Sequence, residues 1–380
     1  MTDFDKLYRS RREKLYACLQ KSGLTAAVFE DSEGHRDVSV RYLTGHPGDA
    51  VLVLTADGKA QLTPWDENLA AARAHADSVI PYTNFQRSST VAVQELLKPY
   101  GAAAAGAPKP RLALSPATSH IQYEKYCAAL PGWQIECSEH SVHEQLAQLR
   151  AVKDSYEIAC TRKACAITDA MTEAISAGVQ AGTFRTETDV ALYIERELRA
   201  QGCERTSFDT LAAGPARSFA IHAFPGYTAG AWGTDGISLL DYGVCYEGYA
   251  SDCTITVARG RLSARQEELL DLVQQAADEC IALYKPGVPV RRAAEKAQEL
   301  FAAKGRTMPH SLGHGTGLEI HEAPFISMRT EESTLFQAGN IVTLEPGLYD
   351  AELGGTRLEN DVLITESGNE ILTRSRIFRF

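Results

Sequence analysis

Between residues 240 and 361 the chain sets acidic side chains and a histidine into apolar, β-branched surroundings, where carboxylates are ordinarily scarce. The first such stretch reads LDYGVCYEGYASDCTIT, Leu240 to Thr256. If its turn is centred on Tyr246-Glu247, Asp241 lies directly opposite Asp252 on one face of a hairpin. Opposed residues have Cβ atoms roughly 4.5–5.5 Å apart. Two carboxylates that close repel each other unless a cation sits between them, and a pair of ions about 3.5–4 Å apart is clamped by such groups. Taken alone, the segment reads equally well as a hairpin with one aspartate beside the turn and the other in solvent. A second pair stands in VTLEPGLYDAELGGTRLENDVLIT, where Glu345 and Glu359 flank a turn-rich stretch containing Gly354-Gly355. The third segment, SLGHGTGLEIHE, crowds His314 with glycines and places His321 seven residues on. Glycine lets other atoms approach the main chain, so this spacing predicts room for an ion and a substrate beside His314. Two Asp, two Glu and one imidazole form a hard, oxygen-rich donor set with a single nitrogen. It suits Mn, Co or Fe, accepts Zn, and disfavours Ca. Cys245 and Cys253 flank the first pair, and burial as small apolar thiols is their expected role over soft metal ligation.

Elements must hold these groups. From Tyr156, the residues Cys160, Ala164, Ile167, Met171 and Ile175 form one helical stripe, with Gly178 as an expected stop. Thr186-x-x-Asp189 resembles a capping box and opens a helix ending at Gly202. Ser263-x-x-Gln266 caps a third helix that ends before Pro286-Gly287, and Pro289 opens a fourth running to Gly305. Helix, helix, strands therefore occurs twice, which suggests two related halves around a cleft, although no sequence repeat is visible. Ahead of this region, helices are expected near Phe4–Lys21, Asp66–Ala76 and Val91–Tyr100. Strands are expected at Thr25–Phe29, Ala50–Thr55 and Arg111–Leu114. Asp57-Gly58 marks a hairpin, and GAAAAGAPKP, Gly101 to Pro110, reads as a surface connection.

The 380 residues favour at least two domains. A net charge of −11 argues against nucleic acid or an anionic membrane as the main partner. The start, MTDFDKLYRSRREKLYACLQ, lacks the apolar core of a signal peptide, and no apolar run could span a bilayer. Nine scattered cysteines, with no C-x-x-C pair, fit reduced thiols and a cytoplasmic location.

Taken in order, LRAVKDSYEIA, DYGVCYEGYASDCTIT, SLGHGTGLEIHE, TLEPGLY and RLEND resemble the pita-bread metallopeptidases, the family of methionine aminopeptidase, aminopeptidase P and prolidase. The resemblance covers roughly Gln145 to Phe380. VRYLTGHPG followed by AVLVLTADGKAQLT is similar, more loosely, to the extra domain of the creatinase/prolidase type, which points to the proline-directed branch. The implied fold class is α+β: a mixed α/β N-terminal creatinase-type domain over 1–143 and a catalytic pita-bread domain over 144–380.

The same resemblance implies two divalent metal ions, with Mn preferred and Co, Fe or Zn as alternatives. Asp241 would be a terminal ligand of one ion, Asp252 and Glu359 would bridge both, and His314 and Glu345 would hold the second. It implies catalytic or substrate-side roles for His222, in SFAIHAFPG, and for His321, with Glu345 as proton shuttle. The implied reaction is hydrolysis after the N-terminal residue of a short peptide with proline second, by a protein that forms a homodimer. His310 is expected to be structural, and the remaining histidines, including His140 and His143, to be solvated. Phe219, His222 and Tyr227 are the expected proline-side residues.

Two departures bear on the substrate. Many members read Thr-Arg-Thr where this chain has Thr254-Ile255-Thr256. Several dipeptidase-type members carry an Arg where this chain has Phe325, which favours an aminopeptidase P type over a dipeptidase, with Arg357 as an alternative carboxylate anchor. Two rivals stand beside this reading. One is a hydrolase of a small non-peptide amide or amidine, since creatinase shares the fold. The other is a silent binding relative, which the intact ligand set disfavours.

Overall fold

The computed structural model describes residues 2–101 and 108–380, so most of the Gly101–Pro110 connection lies outside the described residues. The chain forms two compact units, Met1–Leu149 and Arg150–Phe380, dividing within the helix Val142–Ala151.

The first unit is built on a six-stranded mixed sheet. Its strands run in the order Ser78–Val79, Lys59–Pro64, Ala50–Thr55, Ala26–Asp31, Arg111–Leu114 and Gln134–Cys137. Alternating apolar residues drive it: Val28, Val51, Val53 and Leu112 pack beneath the helix Ser89–Leu97 and Trp133. The hairpin at Asp57-Gly58 forms as expected, with Thr55 paired to Lys59 and Gly58 in the left-handed region. Two histidines in this unit depart from expectation. His46 is fully buried, and His143 packs on the Phe29 ring with Nε2 2.9 Å from the Val28 carbonyl.

In the second unit the predicted alternation is realised as two sheet-and-helix-pair layers. The helices Ser155–Ala181 and Glu187–Ala200 cover a four-stranded sheet whose central strands are Gly236–Tyr242 and Cys253–Arg259. The helices Ala264–Cys280 and Val290–Ala302 cover a five-stranded sheet containing Gly313–Gly315, Ile341–Leu344 and Asn360–Ile364. This α+β arrangement is the one the resemblance implied for the second domain. Capping boxes at Asp154/Glu157, Thr186/Asp189 and Ser263/Gln266 start three of the helices.

The first long helix does not stop at Gly178. It continues to a left-handed Gly182, and Gly178 instead makes room for Phe184: a Cβ there would lie 2.3 Å from that ring. The two layers join where the backbone N–H of Glu359 donates to the Thr254 carbonyl at 3.1 Å.

Candidate active site

The hairpin that carries the two aspartates turns at Glu247-Gly248, one residue later than the sequence reading placed it. Cys245 pairs with Ala250 and Tyr246 with Tyr249, leaving Glu247 and Gly248 at φ of 48° and 85°. A tight turn of this kind needs positive φ at both central residues, and glycine meets that demand where a tyrosine would not. Asp241 consequently pairs with Thr254 rather than Asp252. A slip of two residues preserves the face, so Asp241 and Asp252 still line one cavity. The second pair forms on the far sheet. Leu344 pairs with Asn360 and Gly347 with Arg357, so one register brackets Glu345 and Glu359 and sets them across from each other.

His314 stands in the strand Gly313–Gly315, between two neighbours that press on its glycines. A Cβ on Gly313 would lie 2.1 Å from the Thr343 carbonyl oxygen, and one on Gly315 would lie 2.2 Å from that of Ala323. The glycines therefore serve close packing between strands, and space for a ligand is a by-product. His314 Nδ1 lies 3.0 Å from the Gly315 carbonyl, which can only accept, so the ring proton sits there. Nε2 is left with its lone pair facing Asp252 and Glu345, 3.6 Å from an oxygen of each. Burial pushes the imidazole down to about 4, so it is neutral near pH 7.

One ligand atom from each of Asp252, His314 and Glu359 lies within 4.8 Å of the others. Burial, and then Glu359 and Asp241, drive the Asp252 carboxyl well above the ordinary carboxylate range. Burial, Glu345 and Asp241 do the same to Glu359. Glu345 is pushed up to about 8, first by burial and further by Asp241, against the opposing pull of Arg357. Asp241 Oδ1 and Asp252 Oδ1 are buried without hydrogen-bond partners. Crowded buried acids with orphaned oxygens and a neutral, oriented imidazole fit a divalent metal, since a cation supplies the missing charge and the missing partners.

Arg357 is buried at 2% exposure beneath this cluster, and its donors are committed. Nε donates to Thr254 Oγ1 at 2.9 Å, and the terminal nitrogens donate to Tyr349 Oη at 2.6 Å, the Ile221 carbonyl at 3.3 Å and Asp241. Its engagement with the acids leaves it poorly placed to anchor a substrate carboxylate. Thr254 in turn donates to Glu359 Oε2 at 2.6 Å. Cys253 is fully buried in the apolar core, and the buried Cys245 thiol faces Ser207, so both cysteines follow the packing expectation.

A cavity of about 770 Å³ opens over the acids, with His222, His310 and His321 around it. The His314 and His321 rings meet edge to face at 4.4 Å between centroids. Burial lowers the His321 pKa, helped by the neighbouring His222 and opposed by Asp241. His310, expected to be merely structural, lines the cavity, with Nε2 3.1 Å from Tyr349 Oη. Tyr349 was itself passed over, although it stands in the quoted TLEPGLY. On the apolar side the cavity is lined by Phe208, Phe224 and Phe325, and not by the expected Phe219 or Tyr227.

A buried ion cluster behind His321 was also missed. Arg150 donates to Glu322 Oε1 at 2.6 Å and Lys153 to Oε2 at 3.0 Å. A Cβ on Gly317 would lie 2.6 Å from that carboxylate, so the glycine makes room for it. The signal was present as the paired cations of LRAVKD and the acid of IHE.

Fold and site together define a metal-dependent hydrolase with a preformed acid-and-histidine centre. Residues 159–366 match metallopeptidase family M24 and residues 11–152 match the creatinase/prolidase N-terminal domain. The chain belongs to metallopeptidase family M24. It is 31% identical to the uncharacterized peptidase YqhT of Bacillus subtilis over 343 residues, 89% of this chain and 92% of the relative. It is similar to the solved Xaa-Pro dipeptidase from Bacillus anthracis, with a TM-score of 0.84 at 25% identity, covering 98% and 100% of the two chains. It is similar also to the X-Pro aminopeptidase from Thermotoga maritima, with a TM-score of 0.82 at 25% identity, covering 97% and 99%.

Proposed function

We propose that the protein is an Xaa-Pro peptidase of the aminopeptidase P type, releasing the residue that precedes an N-terminal-side proline from peptides longer than two residues. The solved relatives named for Xaa-Pro substrates support the proline requirement. The observation that carries the length preference is the state of the cations. Arg357 is the one Lys or Arg among the described residues lining the cavity, and it is spent on Asp241, Thr254 and Tyr349. A dipeptide would bring its carboxylate to the half-exposed ring of Phe325, which offers it no cationic partner. A longer chain presents a neutral amide there instead. The dipeptidase reading remains the alternative, through the neighbour from Bacillus anthracis.

In this reading Asp241, Asp252, His314, Glu345 and Glu359 hold two divalent ions. Bound there, the ions supply Lewis-acid polarisation of the scissile carbonyl and of the attacking water. His321 donates a hydrogen bond to the carbonyl oxygen as negative charge develops on it. Glu345, beside the attacking water, would take the proton that water gives up and pass it to the departing proline nitrogen. His222 orients the peptide from the loop that overhangs the cavity. Proline fits because its fixed φ and missing N–H leave no donor to satisfy against the phenyl rings.

Manganese as the working ion, a homodimer as the working assembly and a cytoplasmic setting belong to the same proposal. The first rests on the hard donor set, the second on family resemblance, and the third on nine scattered cysteines with no C-x-x-C pair. No helix among the described residues is long and apolar enough to cross a membrane. The test is the rate of N-terminal residue release from Xaa-Pro-Yaa-Yaa against Xaa-Ala-Yaa-Yaa, after metal removal and reloading with manganese. Release that requires both metal and proline supports the proposal. Equal rates for both peptides would reduce it to a general aminopeptidase, and metal binding without either activity would favour the non-peptide amide or amidine.

A further inference from the structure

The segment that carries His222 and Phe224 has neither strand nor helix of its own between Gly214 and Gly230. Phe224 is 94% exposed at the cavity rim, so packing does not fix that part of the loop. Besides the buried Ala223 and the Gly226 carbonyl bonded to Ala212, the loop is held from outside the cavity by a carboxylate that the metal centre does not use.

Glu187 is the first residue of the helix Glu187–Ala200. Its side chain does not cap that helix, because Thr186 and Asp189 already form the capping box. It turns to the loop, with its side chain 1% exposed. Oε1 accepts from the Gly214 backbone N–H at 2.8 Å, where the loop leaves the sheet. Oε2 accepts from the Thr228 backbone N–H at 2.7 Å and from Thr228 Oγ1 at 2.6 Å, where the loop returns. Arg217 donates both to Glu187 Oε2 and to the Pro225 carbonyl, tying the span between those ends to the same carboxylate.

The middle of the loop is held from the opposite side. Ser218 Oγ accepts from the Gly355 N–H at 3.2 Å, and the Ile221 carbonyl accepts from Arg357 at 3.3 Å. His222 follows Ile221 directly, so its backbone is fixed between the metal-site arginine and the Glu187 carboxylate.

We propose that Glu187, with Arg217 as its counterion, is a positioning residue that sets His222 and Phe224 over the cavity. One buried acid ties both ends of the loop, adding a charged pair to the few backbone hydrogen bonds that hold a segment with no strand or helix of its own. The inference rests on the Xaa-Pro reading only for the peptide used as probe. It assigns Glu187 no contact with substrate or metal.

The test compares E187Q and T228V with the wild type, all loaded with manganese. E187Q keeps the shape but replaces an acceptor by a donor. T228V keeps the backbone donor and the charge pair, so it folds even where E187Q does not. Each variant is read by KM and kcat on Xaa-Pro-Yaa-Yaa, by manganese affinity, and by amide hydrogen exchange.

The expected result is faster exchange within residues 214–228, with the strands carrying the metal ligands unchanged. KM is expected to rise about 5-fold in T228V, which loses the hydroxyl's bonds to Glu187 and from the Gly230 N–H, and at least that much in E187Q. Manganese affinity should stay within about two-fold of wild type, consistent with a change that spares the ligands. Unchanged exchange in 214–228 would overturn the proposal, as would a loss of manganese affinity that matches the loss of activity. If the wild type cleaves no Xaa-Pro peptide, the proposed function fails on its own, while exchange and metal affinity still decide the role of Glu187.

Discussion

At the scale of single residues, the site is an arrangement of acids that cannot all be charged unless a cation joins them. Asp252, Glu359 and Glu345 are each raised, and burial is the leading cause in every case. In the metal-free protein Glu345, pushed up to about 8, holds a proton near pH 7, and a metal must displace it to bind. Manganese uptake near pH 7 is therefore expected to release at least one proton per site, and affinity should strengthen as pH rises towards 8. Titration calorimetry in two buffers of different ionisation enthalpy measures this directly. Equal apparent enthalpies in the two buffers would contradict the raised carboxyls. His314 does not oppose binding over this range, because burial holds it near 4 and it arrives neutral. Thr254 and Arg357 matter for another reason: they fix Glu359 and Asp241 before any ion arrives.

Among the elements, the strand Gly313–Gly315 shows how the site depends on close backbone contact. Because a methyl at position 315 would meet the Ala323 carbonyl, G315A is expected to lose about 1–3 kcal/mol of stability, the usual cost of overpacking. Thermal unfolding of G315A against wild type checks this, and an unchanged melting temperature would show that the strands can part at no cost. The elements were largely legible in the sequence where caps and periodicity agree. Phe4–Lys21 appears with the expected bounds, and the boxes at Thr186 and Ser263 start helices. The four acids among the five proposed ligands drew notice because carboxylates in strand surroundings violate strand preference, and the family resemblance supplied their roles and that of His314. What was not legible depended on contacts distant in sequence. The stop at Gly178 failed because Phe184 packs there. The hairpin register moved because positive φ at Glu247-Gly248 decided the turn. His310, Phe224 and Glu187 had no local signal for their roles, since each is defined by what folds against it.

At the scale of the molecule, a buried ion cluster links the start of the catalytic unit to the segment after His314. Burial pushes the Glu322 carboxyl up, but Lys153 and Arg150 overcome that and hold it at about 2, below its ordinary 4.5. A carboxyl depressed in the folded state contributes stability that is fully present above the unfolded value and lost as pH falls towards the folded one. The cluster's contribution is therefore complete above about pH 5 and declines progressively between about pH 4.5 and 2. E322Q should cost about 3–5 kcal/mol at neutral pH, because it leaves Lys153 buried without its partner. The variant should also show a flatter loss of stability between those pH values, measured by urea unfolding at several pH values. Parallel pH profiles for variant and wild type would contradict the assignment.

The most direct single measurement of the central claim is the rate of N-terminal residue release from a matched pair, Xaa-Pro and Xaa-Pro-Yaa-Yaa, by protein stripped of metal and reloaded with manganese. The committed Arg357 and the exposed Phe325 ring predict manganese-dependent release that is faster from the longer peptide. Cleavage confined to the dipeptide would contradict the account, and would mean that the cavity finds a carboxylate anchor which its cations do not reveal.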